Sequence, residues 1–210
     1  VFSISLRCET LNKAKAGKQK EIMHCVACNQ GCIARLFAQQ DVRCTVNAQC
    51  GREEMFAKPV AAKKNVLVIG GGPAGLSAAK TAAQRGHSVT LVEKEKELGG
   101  QLHAASLAPY RQEWEMLRKE LIRDVKKLKV KIQTGHAFTF DDLRAGKYDA
   151  AIVAVGSMAM RPHITGAEGG NVVIARDLFE GKAEAKGAIV VVGGGCLGAQ
   201  TAEWLATKGH

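Results

Sequence analysis

The segment Asn65–Ile69 is apolar after its first residue and stops at three consecutive glycines, Gly70, Gly71 and Gly72, with Gly75 three residues further on. A strand that runs into G-x-G-x-x-G and out into a helix brings backbone close to a phosphate. Gly70 permits the tight turn, Gly72 leaves room for a pyrophosphate, and Gly75 lets the helix pack against the strand. Free N–H groups and the positive dipole end at the helix start favour the anion. The spacing predicts a helix over Leu76–Arg85, capped by Gly86, and a second strand over Ser88–Glu93. Glu93 stands 18 residues after Gly75, where a carboxylate can accept ribose hydroxyls. An ordinary glycine turn would need neither the flanking strands nor that carboxylate.

The pattern continues. Gly99-Gly100 reads as a turn. Trp114, Leu117, Leu121, Val125 and Leu128 recur at helical spacing. Val130–Thr134 and Ala150–Val155 read as third and fourth strands, and Ser157–Gly170 as a Pro/Gly crossover. Ala188–Val192 then reads as a strand entering Gly193-x-Gly195-x-x-Gly198 and a helix through Lys208. The chain opens on Val1 and the second unit reaches His210 before a closing strand, which suggests a fragment. The expected fold is α/β, a parallel-sheet FAD/NAD(P)-binding (Rossmann-like) fold with an irregular cysteine-rich segment in front. Its parts are residues 1–64, 65–156 and 157–210. Two dinucleotide folds suggest two dinucleotides, a nicotinamide and a flavin. The residue that would tell NADH from NADPH would follow His210, so that choice stays open.

Five of the seven cysteines, Cys25, Cys28, Cys32, Cys44 and Cys50, fall within 26 residues. Clustered cysteines without secretory context read as metal ligands before disulfides. Cys25-x2-Cys28-x3-Cys32-x11-Cys44 can hold a [4Fe–4S] cluster or a zinc ion. Zinc ribbons usually pair two CxxC knuckles, and the second is absent, which favours iron–sulfur. His24 is an alternative ligand. Cys8, Cys50 and Cys196 are left over, and His103 and His136 read as surface or loop residues. The segment is expected to carry short helices around Gln30–Gln39, held by something other than a large core, with a linker over Glu53–Lys64.

Hydrophobic residues make up 46% and charged residues 24%, a globular balance. No apolar run is long enough to span a bilayer, and Val1–Leu6 lacks the features of a signal peptide, so a cytoplasmic protein without membrane contact is expected. The net charge of +10 permits nucleic-acid binding, but the aromatics of the basic N-terminal part are only Phe2, Phe37 and Phe56. Stacking on bases needs more, so no nucleic acid is expected.

Taken together these residues resemble the multidomain family of 2,4-dienoyl-CoA reductase, trimethylamine dehydrogenase and the enoate reductases. The resemblance covers roughly Asn12 to His210. It rests on His24-Cys25-Val26-Ala27-Cys28-Asn29-Gln30-Gly31-Cys32-Ile33, on Cys44 to Asn47, Gly51-Arg52-Glu53 and Val66–Gly75, and on Gly99-Gly100-Gln101-Leu102, Asp149–Gly156 and the second glycine turn. It implies an FMN barrel before this segment, then a [4Fe–4S] segment, then an FAD domain with an inserted NAD(P) domain. The cluster ligands would be Cys25, Cys28, Cys32 and Cys44. The FAD contacts would fall on Gly70, Gly72, Pro73, Ala74, Gly75, Glu93, Gly100, Gln101, Arg111 and Phe138, and those of the nicotinamide dinucleotide on Gly193, Gly195 and Gly198. The resemblance implies reduction of an activated alkene, with amine oxidation as the alternative. Its small-molecule substrate would be met in the missing barrel, and a homo-oligomer is compatible with it. From another class, a zinc-stabilised nucleotide-binding module without redox turnover also fits the residues. Where the family has Asn-Pro and Ala-Thr-Gly, this chain has Asn47-Ala48 and Ala154-Val155-Gly156.

Overall fold

The computed structural model describes residues 10–57, 60 and 62–210; Cys8, the terminal segment Val1–Leu6 and the linker's Pro59 lie outside them. In chain order the elements are α1 (Thr10–Lys15), a 3-10 turn (Gln19–Glu21), α2 (Ile33–Phe37), α3 (Glu53–Ala57), β1 (Asn65–Ile69), α4 (Pro73–Gln84), β2 (Ser88–Glu93), α5 (Leu102–Ser106), α6 (Gln112–Lys127), β3 (Lys131–Thr134), α7 (Phe140–Ala145), β4 (Ala150–Val153), α8 (Ala175–Phe179) and α9 (Cys196–Thr207).

Four strands form one parallel sheet in the order β3-β2-β1-β4. β1 runs beside β2 with Val68 opposite Leu91, and beside β4 with Val68 opposite Ile152. The chain steps from β1 to β2 and β3 on one side, then returns to β4 on the other. The direction of winding thus reverses beside β1, and ligands of open α/β sheets bind beyond the carboxyl ends of the strands at such a point.

The central strands carry the apolar runs and are buried, as parallel strands covered on both faces must be. Val66, Val68, Val89 and Leu91 pack with Leu76 and Ala79 of α4 and with Leu117, Leu121 and Val125 of α6. The helical stripe expected around Trp114–Leu128 is thus the inner face of α6. Between α4 and α6, Lys80 Nζ bonds Asp124 Oδ2 at 2.6 Å. Burial pushes the Asp124 carboxyl up, but the bonds and charges of Lys80 and Arg123 outweigh it and hold the group below its ordinary range.

The short helix expected around Gln30–Gln39 is α2, which buries no residue, while Met23, Val26 and Val46 on either side of it join the core of the sheet and its helices, because apolar side chains this close to an existing core gain most by entering it. Two expectations are corrected. Ala188–Val192 is not a strand. No described strand lies beside it to bond its backbone, and Val190 and Val192 are 87% and 71% exposed. The fourth strand ends at Val153, and β4 is exposed along its length because it is an edge with β1 on one side only.

Candidate functional site

At the carboxyl end of β1 the chain turns at Gly70, with φ of +107°, and enters α4, whose N-cap is Gly72 with Pro73 in the first turn. A Cβ on Gly75 would stand 1.8 Å from Gly70 O, so glycine there is required by the protein's own packing. Gly72 differs. Its φ of −75° suits any residue, and a Cβ there would find its nearest protein neighbour, Gly100 Cα, at 4.0 Å. Nothing in the chain needs that position bare.

Glu93 closes the site from β2. It is buried, and the Gly71 N–H donates to its Oε2 at 2.5 Å while the Glu95 N–H donates to its Oε1 at 2.9 Å. Each oxygen is oriented by one backbone donor and keeps a second lone pair. The Gly99-Gly100 turn lies over the first turn: Gly99 N–H donates to Gly71 O at 2.8 Å. Gln101 Nε2 donates to Ser157 O at 3.0 Å, joining this turn to the segment after β4. The structure therefore brings Gly70–Gly75, Glu93, Gly100 and Gln101 together at the carboxyl ends of the two central strands. Phe138 lies two residues beyond His136, whose N–H donates to Glu93 O at 3.3 Å. Arg111 is the N-cap of α6, and with the Gln200 amide oriented to accept, its Nε donates to Gln200 on α9 at 2.8 Å.

Sequence reasoning missed Arg118. It sits on α6, donates to Leu98 O at 2.8 Å and pairs with Glu115 at 2.7 Å, so it anchors the double-glycine turn. The only signal was a basic residue on the wet side of the helical stripe.

The second glycine turn repeats the local geometry. Gly193 has φ of +114°, Gly195 is the N-cap of α9 at φ −75° and ψ −177°, and a Cβ on Gly198 would stand 1.7 Å from Gly193 O.

A cavity is lined by Cys25, Cys28, Cys32, Cys44 and also Cys50. Cys32 caps α2, and Arg43 N–H donates to Gly31 O at 2.7 Å, which holds the Cys32 and Cys44 segments side by side. Ala27 and Asn29 take left-handed backbone, φ of 50° and 56°, conformations that cost non-glycine residues about 1 kcal/mol or more. The Ala27 N–H donates to Cys25 Sγ at 3.4 Å. Burial pushes the Cys44 and Cys50 thiols up. No disulfide joins the described cysteines. Among the described residues no three Cys, His, Asp or Glu side chains group to hold a single metal ion. His24 is turned away to Glu120, and Cys196 lies exposed at the second turn.

Residues 64–210 match the pyridine nucleotide-disulphide oxidoreductase family. The chain belongs to that family. Its relatives place it in the NADH:flavin oxidoreductase branch of the enoate reductases and trimethylamine dehydrogenase. It is 42% identical over 204 residues to an NADH oxidase of Thermoanaerobacter brockii, covering 94% of this chain and 31% of that protein. The solved structure of 2-naphthoyl-CoA reductase with 2-naphthoyl-CoA superposes with a TM-score of 0.91 at 33% identity, over 99% of this chain and 32% of that one. The 6-hydroxypseudooxynicotine amine oxidase of Pseudomonas geniculata N1 gives 0.77 at 29%, over 87% and 29%. The chain thus spans about a third of the length of the relatives it matches. Among its described residues no helix is long and apolar enough to cross a membrane.

Proposed function

We propose that this chain is the electron-transfer portion of a NAD(P)H-dependent flavin oxidoreductase. In this reading FAD sits on the first glycine turn, the nicotinamide dinucleotide on the second, and a [4Fe–4S] cluster on Cys25, Cys28, Cys32 and Cys44. Bound there, the flavin would accept a hydride from the nicotinamide and the cluster would relay single electrons onward.

The observation that carries the reading is the bare space at Gly72. The turn keeps a glycine where neither backbone conformation nor packing asks for one, at the start of a twelve-residue helix. A pyrophosphate is the group that needs that space. Glu93 would hold the adenosine ribose with its remaining lone pairs. Gln101, tied to Ser157, would close the crevice over the cofactor.

The cysteine spacing supports a cluster over zinc. The four thiols share one cavity, and the second CxxC knuckle that zinc ribbons usually pair with the first is absent from the sequence. The left-handed Ala27 and Asn29 are the kind of backbone that turns N–H groups toward an anionic centre.

The likeness to an NADH oxidase favours a nicotinamide donor, and the likeness to 2-naphthoyl-CoA reductase favours an activated unsaturated thioester as final acceptor. That step would take place at an FMN site outside residues 1–210. The amine oxidase likeness carries the second reading, oxidation of an amine with electrons leaving to a carrier protein. An intact second glycine turn argues for the first reading.

The test uses the longest polypeptide that carries residues 1–210. Glu93→Ala removes a charge-assisted bond worth roughly 1.5–3 kcal/mol, so FAD affinity should fall tenfold to a hundredfold. A parent protein that retains no flavin, or a variant that binds as tightly, overturns the FAD assignment. Anaerobic reconstitution should yield iron and sulfide lost on replacing any of the four cysteines by Ala. Stoichiometric zinc without iron overturns the cluster.

A further inference from the structure

Helix α6 carries a buried carboxylate that the sequence pattern does not call for. Glu120 lies on the inner side of the helix, 6% exposed, beside Leu121 and one turn from Leu117. An apolar side chain would pack there at no desolvation cost, whereas a buried carboxylate is expensive unless it is bonded. Among the described residues, both of its bonds go to His24: its Oε2 accepts from the His24 N–H at 3.2 Å, and its Oε1 meets the ring Nδ1. His24 is the residue before Cys25. One turn further along the helix, Arg123 donates to Lys20 O, and two turns along, Lys127 Nζ pairs with Glu21 at 2.6 Å. Glu120, Arg123 and Lys127 at i, i+3 and i+7 thus make one stripe that grips residues 20–24. Met23 and Val26 enter the core on either side of His24 and Cys25.

The same helix holds the other site. Arg118, two residues before Glu120, bonds Leu98 O at the double-glycine turn. Two residues along an α-helix are about 3 Å of rise, so a single rigid element touches the turn of the proposed flavin site and the start of the cysteine loop. We propose that Glu120 is a positioning residue. Through His24 it fixes the Cys25–Cys28 loop on α6, and α6 thereby sets the separation of the flavin and cysteine sites. The inference rests on the flavin and cluster readings for what occupies the two sites, and on neither for the hold of Glu120 on His24.

The experiment compares the parent protein with Glu120→Ala, Glu120→Gln and His24→Ala. In iron-free protein, the rate at which iodoacetamide modifies Cys25 is read by mass spectrometry, with amide exchange at His24 alongside. In reconstituted protein, the rate of iron release to a chelator is read. Loss of bonds to a charged group predicts Glu120→Ala faster than parent by about tenfold in each. Glu120→Gln keeps an acceptor for the His24 N–H and should stay within about threefold. His24→Ala keeps the backbone bond and should fall between them. Parent-like alkylation and exchange in Glu120→Ala overturns the proposal. If that variant does not fold, parent-like rates in His24→Ala overturn it instead. A parent that takes up no iron sinks the cluster reading alone, because alkylation and exchange still report on the latch.

Discussion

The two glycine units carry the same local instructions and end in different surroundings. Gly72 and Gly195 cap their helices at φ −75° with ψ of −176° and −177°. Gly70 and Gly193 turn at +107° and +114°. Gly75 and Gly198 each sit where a Cβ would strike the carbonyl five residues back. Beyond that the likeness ends. A Cβ on Gly70 would meet Ala154 O at 2.3 Å, while on Gly193 it would meet nothing within 4 Å. β1 lies between two strands, whereas residues 188–192 pair with none among the described residues. α4 packs on α6 through Lys80 and Asp124; α9 has Phe179 of α8 against Trp204, ring centres 5.3 Å apart. A G-x-G-x-x-G turn is thus local chemistry, and a nucleotide fold is that turn plus neighbours.

The sharpest way to break this comparison is Gly75→Ala against Gly198→Ala. The first should cost about 3 kcal/mol or more of global stability, as overpacking against backbone does in a closed core. The second should leave the unfolding of the sheet unchanged and loosen only α9. Denaturant unfolding with amide exchange on both helices decides it, and equal loss in the two variants would show the units to be energetically alike.

Next in size is the largely buried pair of Lys80 and Asp124 that joins two helices of the first unit. Asp124→Ala breaks this largely buried pair and should cost about 3 kcal/mol. Because the folded carboxyl is held below its ordinary value, its contribution is complete above the unfolded carboxylate range near about pH 4. It is lost as pH falls through the folded value. The parent should therefore lose stability in acid more steeply than Asp124→Ala, measured by urea midpoints from pH 6 downward.

Gly72→Val and Gly195→Val separate ligand from fold. A Cβ at either position meets no protein atom closer than 4.0 Å, so both variants should fold, with about 1 kcal/mol lost because valine is a poorer N-cap than glycine. The first should lose FAD affinity about a hundredfold and the second NAD(P)H affinity by a similar factor, since a side chain takes the phosphate's place. Equilibrium titrations of each dinucleotide check this. The smallest effect is expected of Gln101→Ala, whose side chain makes an exposed bond to Ser157. A loss of at most about tenfold in FAD affinity should accompany it, with no counterpart in the second unit.

Much of the first unit was legible from residues alone. The apolar runs of β1 and β2, the glycine spacing and Glu93 all follow local rules, and the stripe from Trp114 to Leu128 named the inner face of α6. The four cysteines were legible as a set because their spacing is local too. Cys50 was set aside as left over, yet it lines the same cavity. Nothing in its spacing says that the chain doubles back through Arg43 and Gly51, where Arg43 Nη1 donates to Gly51 O at 2.9 Å.

Short-range rules settle the turn, the helix that follows it and the kind of atom offered at each site. Backbone freedom at glycine, periodicity of apolar side chains and the chemistry of thiols act within a few residues. Long-range contacts settle which units become part of a sheet and how the sites face one another. Strand pairing needs a neighbour that can lie far along the chain: β4 pairs with β1 across about 80 residues, and residues 188–192 find no such partner among the described residues. Glu120 holds His24 from 96 residues away. A buried carboxylate on an apolar helix face reads in sequence as one more charge in a charged helix, and its role exists only once the cysteine segment has been folded against it.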